Sequence, residues 1–134
     1  MSCFWETLYQ THLFSSISKR DIIQYLKSKN KKANCIVNQK KLTQQQIDEN
    51  FNAIKELKPQ SYNNGYLTSM CEPILCLVCN LFNVHIIHEW HLHKKVIICY
   101  SPVRCPSQQP ISKQIHIICS NHGHAWYNKH IQMI

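Results

Sequence analysis

The hydrophobic pattern of this chain changes period once, after Asn83, and no other feature limits its fold so strongly. Before that point apolar residues recur at helical spacing; after it they fall in short β-branched or aromatic runs separated by turn residues. Phe4, Trp5, Leu8 and Tyr9 form one helical stripe and leave Glu6 and Gln10 to face water, which predicts a first helix over about 3–14 that stops in the Ser15-Ser16 turn. Ser18-Lys19-Arg20-Asp21 has capping-box spacing, with the serine hydroxyl expected to reach the Asp21 N–H and the carboxylate to reach back. It opens a second helix on Ile22, Ile23 and Leu26. Thr43-Gln44-Gln45-Gln46 is another such box, ahead of Ile47, Phe51 and Ile54, and Lys58-Pro59 ends that helix. Between them, 27–41 reads as a lysine- and asparagine-rich connection with one apolar knot, Cys35-Ile36-Val37, a short edge strand.

Ser61-Tyr62-Asn63-Asn64-Gly65 is a turn, because Asn-Gly readily takes positive φ. Pro73 then stands in the first turn of a helix whose segment 74–82 is apolar on nearly every face, so it is the buried one. Past Asn83, segments 84–88, 96–100, 115–119 and 125–127 read as strands of an antiparallel meander, with His91-Leu92-His93-Lys94 as a hairpin turn. Helices first and strands last imply an α+β domain, with N-terminal helices packed on a small, mostly antiparallel sheet. At 134 residues the expectation is one domain over 1–134.

Charge and cysteine usage narrow the function classes. The net charge of +8 is concentrated over 19–41, while the C-terminal half is apolar and histidine-rich. The aromatics lie inside apolar periodic segments and no arginine-rich motif occurs, so the lysines read as a solvated face and no nucleic-acid partner is expected. No segment approaches the roughly twenty apolar residues of a membrane span, and no membrane partner is expected. Eight cysteines would suggest disulfides in a secreted chain. The N-terminus lacks the pattern of a signal peptide, so the thiols are read as reduced, the protein as cytoplasmic, and most cysteines as small core hydrophobes.

One cysteine stands apart. Cys3 would sit at the N-terminus of the first helix, where unsatisfied N–H groups and the positive end of the helix dipole favour a thiolate. A thiolate nucleophile needs a base, and the far end of the chain offers His124, which follows a polar turn and opens an aromatic strand. His122 also stands beside that turn, but Gly123 breaks the strand alternation between them, and His124 is preferred. Asn128, an even step further along, is the nearest polar candidate to orient the imidazole.

Ser-Cys-Phe-Trp-Glu-Thr-Leu at 2–8 resembles the cysteine box of the ovarian-tumour (OTU) family of deubiquitinases. Segment 21–26 is similar to the family's second helix, 64–75 to its Trp-Gly-x-x-x-Glu-Leu-x-Ala-Leu segment, and 84–87 to the strand behind it. The end of the chain resembles the family's final histidine followed by an aromatic. The resemblance spans nearly the whole chain, close in size to compact viral members. It implies an OTU-like, papain-like fold and a thiol protease that cleaves isopeptide or peptide bonds at the C-terminus of ubiquitin or a ubiquitin-like protein. Catalysis would run through a thioester on Cys3, with His124 as base and Asn128 as the third residue, without cofactor or metal. The chain is expected to act as a monomer, in the host cytoplasm if viral. Met1-Ser2 stands where the family has Asp-Gly-Asn, and Ala125-Trp126 follow the histidine.

Those departures keep open an inactive OTU-like binding domain. A third reading is a zinc-stapled basic module that binds nucleic acid, using Cys71, Cys76, Cys79, His85, His88, His91 and His93. Its spacing is poor, since Cys76-Leu77-Val78-Cys79 carries apolar residues where a zinc knuckle carries turn residues. His85 and His88 are instead expected on a strand's exposed side. If arginines of a ubiquitin tail are bound, the candidate carboxylates are Glu49, Glu56, Glu72 and Glu89.

Overall fold

The computed structural model describes residues 3–58, 72–91, 95–103, 113–120 and 125–127; for residues 3, 90, 91, 119, 120 and 125–127 only the backbone is described. The described elements run α1 (Cys3–Gln10), a 3-10 turn (Lys19–Asp21), α2 (Ile22–Lys29), β1 (Cys35–Val37), β2 (Lys40–Lys41), α3 (Gln44–Lys55), α4 (Pro73–Phe82), β3 (His85–His91), β4 (Lys95–Pro102), β5 (Gln114–Ser120) and β6 (Ala125–Tyr127). The architecture is α+β. The strands form one six-stranded sheet of order β2-β1-β4-β3-β5-β6, antiparallel at every pairing except β3 with β5.

Helix ends follow from local chemistry. At α3 the Thr43 side chain accepts from the Gln46 N–H and the Gln46 side chain accepts from the Thr43 N–H at 2.9 Å, a complete capping box. At α4 Pro73 occupies the first turn, and the Glu72 carboxylate caps it by accepting from the Ile74 N–H at 3.2 Å. Asn83 then closes α4 in the left-handed region at φ 53°, a conformation that asparagine tolerates better than most residues. The Ser18 box forms differently from expectation. The Ser18 hydroxyl donates to the Asp21 carboxylate at 2.8 Å and caps no N–H, because the Asp21 N–H is already taken by the Ser18 carbonyl in a 3-10 turn. The first helix also stops early, at Gln10 rather than Phe14. The Thr11 and His12 N–H groups turn back to the Leu8 and Tyr9 carbonyls, and His12 takes φ 65°.

Two expectations about strands are corrected. The Cys35 knot is not at the edge: β1 lies between β2 and β4, and the missed strand β2 is the edge. Asn38 and Gln39 join β1 to β2 as a two-residue turn with φ 51° and 68°, the positive-φ pair that a type I′ hairpin requires. Asn38 also locks to β4, donating its N–H to the Cys99 carbonyl and accepting the Cys99 N–H, both at 2.9 Å. The later strands are not a simple meander either. After β4 the chain crosses back, so β5 runs parallel to β3, with Ile86 opposite Ile115 and His88 opposite Ile117.

One face of this sheet carries the core. Ile86, His88, Ile98, Tyr100, Ile115 and Ile117 point to it, against a cluster that includes Phe4, Trp5, Leu8, Phe14, Ile22, Leu26 and α4 residues 74–79. Full burial of each such side chain stabilises by roughly 1.5–3 kcal/mol before entropy is counted. The α4 helix is buried as its composition predicts, and it packs on β4 and β3.

Candidate functional site

Helix α1 opens at Cys3, and the residues behind it explain why it is held there. Phe4, Trp5 and Leu8 are buried, the Phe4 and Trp5 rings meet edge to face at 5.2 Å, and Thr7 is buried beside them. Gln10 faces solvent and Glu6, half-exposed, pairs with Lys19 at 3.1 Å. The other end of the helix is tied twice. Lys113, just ahead of β5, donates to the Thr11 carbonyl at 2.9 Å, and the Tyr9 hydroxyl donates to the Ile17 carbonyl at 2.7 Å. A cation at a helix C-terminus also suits the macrodipole.

The partner element is β6. It pairs antiparallel with β5, placing Ala125 opposite Cys119 and Tyr127 opposite Ile117, and α1 lies against it. The nucleophile candidate therefore begins a helix packed on a strand whose first residue, Ala125, directly follows His124 in sequence. His124 and Asn128, which flank β6, lie outside the described residues, as do His122 and the side chain of Cys3. The Asn64-Gly65 turn, Cys71 and His93 lie outside them too.

The remaining candidate residues separate clearly. His88 is buried on the core face, not exposed as expected, and only its strand neighbour by odd step, His85, lies on the outer face. Three residues is an odd step in a strand, so the two cannot share a side. Burial lowers the His88 pKa to about 4, so its imidazole is neutral at neutral pH. His85 instead hydrogen-bonds the Ser101 hydroxyl through Nδ1. Among the described residues no group of three or more His, Cys, Asp or Glu is arranged to hold a metal ion, so the zinc reading gains no support from Cys76, Cys79, His85 and His88.

Of the carboxylates, Glu72 is wholly buried as the α4 cap, and its own N–H donates to the Tyr100 hydroxyl. Glu89 is also buried and meets His116 Nε2 at 3.1 Å across the parallel β3–β5 pair. Glu49 and Glu56 remain exposed on and just beyond α3. The buried Glu89–His116 pair escaped sequence reasoning. Its only signal was a polar residue among apolar neighbours in each of two strands that hold other polar residues as well, which becomes meaningful only once β3 and β5 are known to be neighbours.

The structure also holds a second chemical cluster that the sequence did not reveal. Cys35 of β1 and Cys79 of α4 place their sulfurs 3.4 Å apart, and Cys76 hydrogen-bonds the same Cys35 sulfur. All three are buried thiols, whereas Cys99 is exposed. Hydrogen bonds from Cys76 and Cys79 lower the Cys35 pKa, while the contact with Cys35 and burial raise that of Cys79, so Cys35 is the first of the pair to ionise.

No protein-family model, curated protein or solved structure matches this chain. No described helix is long and apolar enough to cross a membrane.

Proposed function

We propose that the protein is an OTU-like thiol protease acting in the cytoplasm on conjugates of ubiquitin or a ubiquitin-like protein. The observation that carries this reading is the packing of α1, which opens at Cys3, against β6, which begins one residue after His124. In an α+β domain, a helix that opens at the nucleophile and packs on the strand that follows the base in sequence is the arrangement a thiol–imidazole pair requires. In the reaction, His124 takes the Cys3 proton and the thiolate attacks the carbonyl carbon at the ubiquitin C-terminus. The tetrahedral oxyanion is stabilised by N–H groups at the start of α1. Its collapse expels the amine, protonated by His124, and leaves a thioester that water hydrolyses. Asn128 orients the imidazole. Exposed Glu49 and Glu56 are the carboxylates left to meet a cationic substrate tail.

The test is incubation with ubiquitin bearing a C-terminal electrophile, read as a mass increase of one ubiquitin. The adduct is expected on the parent chain, lost in Cys3→Ala and slowed in His124→Ala. A folded parent that forms no adduct, with residues added ahead of Ser2 as well as without them, would replace the protease by a binding domain.

A further inference from the structure

Two buried thiols meet where β1 passes α4. The Cys35 and Cys79 sulfurs stand 3.4 Å apart, although the residues are 44 positions apart in the chain, and both are wholly buried. Each thiol has a backbone carbonyl to take its proton: Cys35 donates to the Ser101 carbonyl at 3.4 Å, and Cys79 to the Cys76 carbonyl at 3.2 Å. No proton therefore has to lie between the two sulfurs, and they need close by only about 1.4 Å to reach the roughly 2.05 Å of a disulfide. Solvent comes within one residue of them. Cys76, whose carbonyl accepts the Cys79 proton, also lines a cavity of about 480 Å³ that opens between α2, α3 and α4. The strand that carries Cys35 is separated from β6 by β4, β3 and β5, four strand spacings or about 19 Å, and the protease reading leaves the pair unused.

We propose that Cys35 and Cys79 are an oxidation site at which hydrogen peroxide joins β1 to α4 through a reversible disulfide. The oxidant enters from the cavity, past Cys76. Cys35, the first of the two to ionise, releases its proton to solvent and attacks one peroxide oxygen. The S–O bond forms, the O–O bond breaks, and the departing hydroxide takes the Cys79 proton to become water. The Cys79 thiolate then attacks the Cys35 sulfur; the S–S bond forms, the S–O bond breaks, and the second hydroxide takes a proton from solvent. Two thiols are oxidised to one disulfide and peroxide is reduced to two waters, the usual course from sulfenic acid to disulfide. The new bond closes a loop that holds β2 and α3. Helix α4 otherwise packs on β4, β3 and α3, so the bond adds a covalent tie between it and the β1–β2 hairpin at the edge of the sheet. A cross-link over such a loop restricts the unfolded chain, and the oxidised fold is the more stable one.

The experiment treats the full chain carrying Cys3→Ala, which removes the competing nucleophile, with hydrogen peroxide under native conditions. Remaining thiols are alkylated after denaturation, the protein is digested without reductant, and fragmentation between Cys76 and Cys79 assigns the link. The expected product is a Cys35–Cys79 disulfide, reversed by reductant, with Cys76 recovered as the alkylated thiol. The same chain unfolded in urea before oxidation should give that link in at least fivefold lower yield, a comparison that needs no substitution in the core. The oxidised protein should unfold at a higher urea concentration than the reduced one, and the difference should vanish in Cys79→Ala. A link from Cys76 to either partner in place of Cys35–Cys79, or both buried thiols surviving while the exposed Cys99 oxidises, would overturn the proposal. So would a linked protein that unfolds no later than the reduced one, because the bond would then strain the packing of β1 and α4 instead of tying it.

Discussion

The Glu72 N–H donates to the Tyr100 hydroxyl at 3.1 Å, fastening the start of α4 to the core face of β4. Both residues are wholly buried. Tyr100→Phe keeps the ring in the core and strands that N–H, so it is expected to cost about 1–3 kcal/mol. Urea unfolding checks this as a lower midpoint with an unchanged slope. An unchanged midpoint would mean that water replaces the hydroxyl, and that the α4 start is not held by β4.

The Thr43 capping box lies at an exposed helix start, so its removal reads helix stability with little change in packing. Thr43→Ala is expected to destabilise the protein by about 1 kcal/mol, within the 0.5–2 kcal/mol range for such caps, and Thr43→Ser by less. Equal unfolding midpoints for Ala and Ser would show that the hydroxyl contributes nothing to α3.

Much of this was legible in the chain. The α3 box, Pro73 at the start of α4, the apolar run of 74–79 and all four late strands follow from local pattern, because each is decided within one element. What was not legible depends on which elements become neighbours. Nothing near Ile86 announces that its partner is Ile115 in a parallel strand, so the meander reading failed at that pairing. Cys35 read as part of an apolar knot, and Cys76 and Cys79 as poorly spaced zinc candidates, and Cys35 meets Cys79 only when β1 packs near α4. The candidate site divides in the same way: helical spacing placed Cys3 at the opening of α1, but nothing local could bring α1 against β6.

His88 should make the protein acid-sensitive. Its folded pKa is about 4 because the ring is buried, against an ordinary value of 6.5, so between those values the unfolded chain takes up a proton that the folded chain refuses. Stability from this residue is fully present above pH 6.5 and falls as the pH drops towards 4, at about 1.4 kcal/mol per pH unit and roughly 3 kcal/mol in all. Urea midpoints at pH 7.5, 6 and 5 should fall accordingly. In His88→Gln, which keeps hydrogen-bonding capacity but cannot titrate, that acid limb should flatten. Parallel acid limbs in the two proteins would assign the sensitivity to other groups.

The proposed nucleophile makes a prediction that needs no substrate. If Cys3 stands at the positive end of α1 beside His124, its thiolate forms below the ordinary thiol pKa of about 8.5, in the range of roughly 3.5–7.5 seen for such environments. Its alkylation rate should then level off at a pH at least one unit below 8.5. His124→Ala should move that midpoint upward by about a unit, because the imidazolium that favours the thiolate is gone. Peptide mapping after timed iodoacetamide treatment from pH 5 to 9 reads Cys3 and the exposed Cys99 in the same sample, so differences in reagent reactivity cancel. Rates at Cys3 that track those at Cys99 across the whole range would remove the activated thiolate, and with it the chemical basis for a protease.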